Sequence, residues 1–136
     1  MQPIIHTTKI RVRYPETDAM GYVHHSIYPQ YYEIGRVEML RDRGISYKEM
    51  EDSGIMLPVR KIEITFFKPA HYDDELTITT ILKEKPNITL EFDFEIRNQH
   101  NELLNTANVL LVFADTKTGK PNRAGHLFIQ KAFGFE

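Results

Sequence analysis

The stretch Ser26-Ile27-Tyr28-Pro29-Gln30-Tyr31-Tyr32-Glu33-Ile34-Gly35-Arg36-Val37-Glu38-Met39-Leu40-Arg41-Asp42-Arg43-Gly44 decides the architecture. Tyr28, Tyr31, Tyr32, Gly35 and Met39 recur at the three- and four-residue intervals of one helical face. Ile27, Ile34, Val37 and Leu40 widen the apolar surface beyond that stripe. A helix is therefore predicted over 27–43, covered on more than one side. Ser26 is the expected N-cap, and Pro29 is tolerated in the first turn, where its missing N–H costs little. Gly44 is the expected stop. Glu33 and Glu38, on the polar side, are expected to pair with Arg36 and Arg41 rather than to act as acids.

Upstream, Ile10, Val12 and Tyr14 alternate in a predicted strand over 4–14. Downstream, Ser46-Tyr47-Lys48-Glu49 has a capping-box pattern, which predicts a short helix ending at Gly54. The remainder reads as strands. Ile62, Ile64 and Phe66 alternate with Lys61, Glu63 and Thr65 over 58–68, and Leu76, Ile78, Thr80 and Leu82 alternate with Thr77 and Thr79 over 75–85. Ile88, Leu90, Phe92, Phe94 and Ile96 share one face over 88–97. The segment 103–114 ends in the continuous apolar run Val109 to Ala114, as expected of a strand buried on both faces. Turns fall at Asp73-Asp74, Pro86-Asn87, Asn98 to Asn101 and Thr118 to Pro121, and a short helix is predicted over 126–133.

Strands joined by such short turns are antiparallel neighbours. One apolar helix and one half-apolar sheet must cover each other. The α+β solution is a curved antiparallel sheet wrapped on the 27–43 helix. The hotdog fold and the cone of nuclear transport factor 2-like proteins both fit. A single strand ahead of one dominant helix favours the hotdog, as one domain over residues 1–136.

Composition removes several classes of function. The longest apolar run is far short of the ~20 residues that span a bilayer, and the start lacks a basic flank, so no membrane segment or signal peptide is expected. The absence of cysteine excludes disulfides, thiol nucleophiles and thiolate zinc sites, and fits a reducing cytoplasm. Seventeen basic residues against nineteen acidic ones leave a net charge of −2, with no basic stripe for nucleic acid. There is no Gly-x-Ser-x-Gly, His-Glu-x-x-His, phosphate loop or Gly-x-Gly-x-x-Gly. Of six histidines only His24 and His25 are close, and adjacent side chains diverge, so no metal site and no cofactor are expected.

The chemically informative stretch is Tyr14-Pro15-Glu16-Thr17-Asp18-Ala19-Met20-Gly21-Tyr22-Val23-His24-His25-Ser26-Ile27-Tyr28. It offers a carboxylate at Asp18, a flexible backbone position at Gly21, an imidazole at His25 and a helix start. Free N–H groups at a helix start can hold a developing oxyanion beside a base or nucleophile. The ordinary reading of these residues is equally concrete: Asp before a helix is a turn or cap residue, and Tyr14, Tyr28, Tyr31 and Tyr32 pack.

Continued through Pro29-Gln30-Tyr31-Tyr32-Glu33, this stretch resembles the 4-hydroxybenzoyl-CoA thioesterase and YbgC-like branch of the hotdog acyl-CoA thioesterases. Phe67-Lys68-Pro69-Ala70-His71-Tyr72-Asp73-Asp74-Glu75-Leu76 resembles that branch's link between two strands. The resemblance implies that Asp18 is the essential carboxylate and that the His25 N–H is the oxyanion donor. It implies further that Tyr14 lies near the site, and that Gly21 and Tyr28 contact substrate. Lys83 and Lys85 partly echo residues that grip the nucleotide end of CoA. The implied reaction is hydrolysis of an acyl-CoA or acyl-carrier-protein thioester, in a homodimer or homotetramer with sites at subunit boundaries. A non-catalytic acyl-thioester binding module is the alternative. A hotdog hydratase would carry a His-Asp motif that is absent here.

Overall fold

Alternation builds the sheet. In the computed structural model, which describes residues 2–122 and 125–134, β1 (Ile4–Arg11), β3 (Val59–Phe66), β4 (Glu75–Leu82), β5 (Thr89–Arg97) and β6 (Leu103–Val112) form one sheet. Met1 and residues 135–136, the ends of the expected domain, lie outside the described residues. The strand order is β1-β4-β5-β6-β3, with every neighbour antiparallel. Leu76, Ile78, Leu82, Leu90, Phe92, Phe94 and Ile96 all point to one face and are buried. That face holds α1 (Tyr28–Asp42), whose Tyr28, Tyr31, Tyr32, Gly35 and Met39 are buried against it. This is the hotdog arrangement.

Gly35 sets how closely helix and sheet approach. A Cβ there would fall 2.7 Å from Thr80 Oγ1 and 2.8 Å from Ile78 Cγ2. Tyr32 flanks the crossing, its ring 4.9 Å from that of Phe94. Gly35→Ala is expected to destabilise the chain by about 1–3 kcal/mol despite the better helix propensity of alanine, because an overpacked core must shift backbone. Urea unfolding checks this; a stabilised variant would show that the helix can lift at no cost.

Several boundaries depart from the expectations. The first strand ends at Arg11, not at Tyr14. Tyr14 instead opens a 3-10 turn, Tyr14–Glu16, and is 73% exposed. Pro15 has no N–H to continue a ladder. The helix is entered through a 3-10 turn at His25–Ile27, and its cap is His24, whose Nδ1 accepts the Ser26 N–H at 3.2 Å. Ser26 is therefore capped rather than capping. Gly44, at φ +81°, ends the helix as expected. Leu40 is buried, but Val37 is only half-buried and Ile34 is exposed, so this chain covers the widened helix surface incompletely. Glu33 and Glu38 do pair with Arg36 and Arg41.

The strand expected to be buried on both faces is not. Val109 and Leu111 are buried while Leu110 and Val112 are half-buried, because among the described residues only the inner face of the sheet carries a helix. Beyond β6 the chain adds β7 (Ala114–Asp115), which pairs with β2 (Ile55–Met56), a small ladder the sequence reading lacks. The short helix α2 (Tyr47–Asp52) starts as expected, with Ser46 Oγ accepting the Glu49 N–H at 3.3 Å. The C-terminal helix α3 spans Gly125–Ala132.

β3 differs most from its expected pattern. Its register puts Ile62 opposite Val109 and Ile64 opposite Ala107, on the helix-bearing face. Yet Val59 and Phe66 are 49% exposed and Ile62 36% exposed. The strand is a sheet edge, and none of the described residues covers it.

Candidate active site

The two stretches singled out in the sequence meet in space. Residues 17–23 form a tight hairpin, with Thr17 bridged to Val23 and the Asp18 N–H donating to the Tyr22 carbonyl at 2.8 Å. The returning arm of the hairpin adds to the 67–74 link. The Val23 N–H donates to Ala70 O at 2.9 Å, the Tyr72 N–H to Gly21 O at 3.2 Å, and Tyr22 bridges to His71. Gly21 makes the turn possible, at φ +78°. From Val23 the chain passes through His24 directly into the helical turn that begins at His25.

Asp18 is exposed on this hairpin. Its Oδ1 accepts the Met20 N–H at 2.9 Å and the Tyr22 N–H at 3.1 Å, while Oδ2 accepts no hydrogen bond among the described residues. One oxygen is thus fixed by amides and the other left open. The ordinary turn role is real, and it does not consume the carboxylate. At the helix start, the His25 N–H donates to no acceptor among the described residues. The His25 ring stacks on that of His24 with centroids 4.2 Å apart, and His24 Nδ1 lies 2.7 Å from Ser26 Oγ.

The other implied site residues are placed unevenly. Tyr14 stands at the rim of the hairpin, its ring edge-on to Tyr72 at 5.6 Å. Tyr28 lies in the core, its hydroxyl accepting the Ala70 N–H at 3.3 Å. Burial pushes its pKa up, and the Ala70 amide offsets part of that. Lys83 and Lys85 are not brought to the hairpin. Asp73, Asp74 and Glu75 directly follow His71 and Tyr72, which join the hairpin at Tyr22 and Gly21. Lys83 is eight residues farther along β4 and beyond, roughly 26 Å away at strand rise. There Lys83 Nζ pairs with Asp93 at 2.6 Å.

One residue that organises the hairpin escapes the sequence reading. Glu16 is buried, with 8% exposure. Its Oε1 accepts the Arg13 N–H at 2.7 Å and the Tyr31 hydroxyl at 2.9 Å, and its own carbonyl accepts the His24 N–H at 3.0 Å. It therefore ties the start of the hairpin to both its return and the central helix. Burial, then the bond to Glu16, raises the Tyr31 pKa far above its ordinary value, so this hydroxyl is a permanent donor. Glu16→Ala strands that donor in the core. It is expected to cost about 2–3 kcal/mol, with Tyr31→Phe costing less and the double variant less than the sum. Urea unfolding of the four proteins tests the coupling.

A sequence profile of the thioesterase-like superfamily matches residues 12–127, from the end of β1 into α3. The chain belongs to the thioesterase-like superfamily. The acyl-CoA thioester hydrolase YbgC of Escherichia coli is 38% identical over 112 residues, 82% of this chain and 84% of that one. The putative acyl-CoA thioesterase YneP of Bacillus subtilis is 34% identical over 119 residues, 86% of each chain. Among solved structures, a DHNA-CoA thioesterase from Staphylococcus aureus superposes with a TM-score of 0.89 at 29% identity, over 96% of this chain and 89% of that one. No helix among the described residues is long and apolar enough to cross a membrane.

Proposed function

We propose that this chain hydrolyses acyl-CoA thioesters to a carboxylic acid and free CoA, with Asp18 as nucleophile or general base. The observation that carries this reading is the half-used carboxylate. Asp18 Oδ1 is anchored by the Met20 and Tyr22 amides, and Oδ2 accepts nothing among the described residues. The hairpin bearing it runs into a helix start whose first N–H also lacks an acceptor among the described residues. A thioester oxygen bonded to the His25 N–H would become more negative as its carbon is attacked, and that N–H and the dipole of the helix behind it would stabilise the charge.

Two routes balance. Asp18 Oδ2 attacks the acyl carbon, the C–S bond breaks, and water then hydrolyses the mixed anhydride. Alternatively Asp18 takes a proton from water as that water attacks. In both, the thiolate leaves readily because thiols ionise near pH 8.5, so no strong general acid is compulsory. The relatives named for acyl-CoA substrates point the same way.

The proposed assembly rests on β3. Its exposed Val59, Ile62 and Phe66 and its open edge support pairing of two copies edge to edge, with the sites at the boundary. Lys83 and Lys85 could then serve CoA only from another copy, since within one chain they lie at the far end of β4.

A thiol-release assay across short, long and aromatic acyl-CoAs tests the reading. Turnover of at least one member is expected. Binding of CoA thioesters with no release across the panel would favour the binding-module alternative, for which the turn role of Asp18 is the supporting observation.

A further inference from the structure

Between α1 and the β3 edge lies a cavity of about 210 Å³. Its sheet side is apolar, built from Leu57, Ile62 and Val109, and its helix side carries Pro29, Glu33 and Arg36. Arg36 is out of place in such a wall. It is only 5% exposed, and its Nε donates to no acceptor among the described residues. The guanidinium sits 5.5 Å over the Tyr47 ring and interacts with its hydroxyl, and Nη2 makes an ion pair with Glu33 Oε1 at 3.7 Å, which leaves Nε as the unmatched donor. The Glu33 side chain is itself 62% exposed and therefore mostly solvated. A buried guanidinium with an unmatched N–H is costly unless an acceptor arrives.

The position of this cavity relative to the proposed site is set by helix geometry. Pro29, Glu33 and Arg36 follow the i, i+4, i+7 pattern of one side of α1. Pro29 is four residues past His25, about one turn of rise, and Arg36 is eleven residues past it, about 16 Å. An arginine side chain leans back toward the helix N-terminus, which shortens that span to roughly 10 Å. Such a span suits a medium-length acyl chain.

We propose that Arg36 is a specificity-determining residue that selects acyl groups carrying a hydrogen-bond-accepting oxygen, hydroxyl or carboxylate, at the end remote from the thioester. The inference rests on the hydrolase reading for its orientation along the helix, and it is tested separately from it. An oxygen at that point supplies the acceptor that the Arg36 donor lacks, whereas a plain alkyl tail leaves the donor as it is in the free protein, so the oxygenated substrate gains and the alkyl one does not.

The experiment compares octanoyl-CoA, 8-hydroxyoctanoyl-CoA and the CoA thioester of octanedioic acid on the wild-type protein and on Arg36→Met, which conserves bulk. The wild type is expected to prefer at least one oxygenated substrate over octanoyl-CoA by about tenfold or more in kcat/KM. Arg36→Met is expected to lose that preference while its octanoyl-CoA turnover stays within about threefold of wild type. Preference for both oxygenated chains marks a neutral acceptor as sufficient, and preference for the carboxylate alone marks an anion. Equal use of all three by the wild type, or a parallel fall for all three in Arg36→Met, overturns the proposal and leaves Arg36 a structural residue. If Arg36→Met does not fold, the wild-type ranking decides, with Arg36→Lys as the second variant. If no thioester is cleaved, the hydrolase reading fails, and calorimetric affinities of the wild type for the same three ligands then decide. Tighter binding of an oxygenated chain supports the Arg36 subsite, and equal affinities or no binding overturn it.

Discussion

Asp18→Asn is expected to lower kcat by about a thousandfold or more while leaving the unfolding midpoint nearly unchanged. The second half of that expectation gives the test its force. Oδ1 of Asp18 accepts two backbone amides, from Met20 and Tyr22, and that is what shapes the hairpin. Asparagine keeps an Oδ1 acceptor and can keep both bonds. What it loses is the negative second oxygen, and with it the capacity to attack a carbonyl carbon or to take a proton from water. Asp18→Ala removes both functions together, so it is expected to be as inactive and also to lose about 1 kcal/mol of stability as the turn loosens. The amides are exposed and can turn to water, which keeps that cost small. Steady-state kinetics with a thermal melt of each variant separates the cases. An Asp18→Asn protein with wild-type turnover would mean that the carboxylate only shapes a turn. Single-turnover hydrolysis in isotopically labelled water then divides the two routes. Label in the Asp18 carboxylate establishes the anhydride route, with water opening the anhydride at that carbon. Label in the product acid alone arises both from direct attack of water and from an anhydride opened at the acyl carbon, which trapping of the acyl-enzyme with hydroxylamine then separates.

What the sequence made legible follows from period. The central helix and four of the main strands show themselves because each buries one face against the other, so their apolar residues repeat at 3.6 or at 2. Gly44 and the Ser46 cap are legible because their chemistry is local. The failures share the opposite property. Tyr14 continues the alternation of the first strand on paper, but Pro15 breaks the ladder and turns the tyrosine outward. Val109 to Ala114 reads as buried on both sides because apolar residues also occupy the outer face, where no helix of the described residues lies. Glu16 stands among loop residues, and its burial depends on Tyr31, fifteen positions away, which no local pattern reports. Arg36 has the spacing of a solvated partner for Glu33, yet it is buried because α2 brings Tyr47 beneath it. Lys83 and Lys85 precede the Pro86-Asn87 turn, in partial echo of residues that grip CoA, but a strand of eight residues separates that turn from the Asp18 hairpin.

Ile62→Glu is expected to split the assembly and to cost more than about a hundredfold in activity without unfolding the chain. Edge strands of soluble proteins are guarded by charge, by bulges or by cover. β3 carries Arg60, Lys61 and Glu63, but its helix-facing residues Val59, Ile62 and Phe66 remain exposed, and its outer edge is unpaired among the described residues. Two copies joined along this edge about a two-fold axis would continue the sheet and bury those side chains. In the separate chain Ile62 is already 36% exposed, so a carboxylate there is tolerable for folding. Between two copies it would bring like charges into an apolar seam. Light scattering is expected to show a dimer or tetramer for the wild type and a monomer for the variant, with cooperative melting retained in both. Ile62 also lines the Arg36 cavity, so an activity loss alone would be ambiguous. Phe67→Glu resolves this, because Phe67 is 56% exposed, follows β3 directly and lies outside that cavity. It should dissociate the protein and silence it to a similar degree. The link from Phe67 to Tyr72 is the one that supports the Asp18 hairpin, through Ala70 O and the Tyr72 N–H. Under the proposed pairing, separating the copies would remove the partner's support from this link. A strictly monomeric variant with full activity would show that each chain carries a complete site and that the exposed edge serves something other than catalysis.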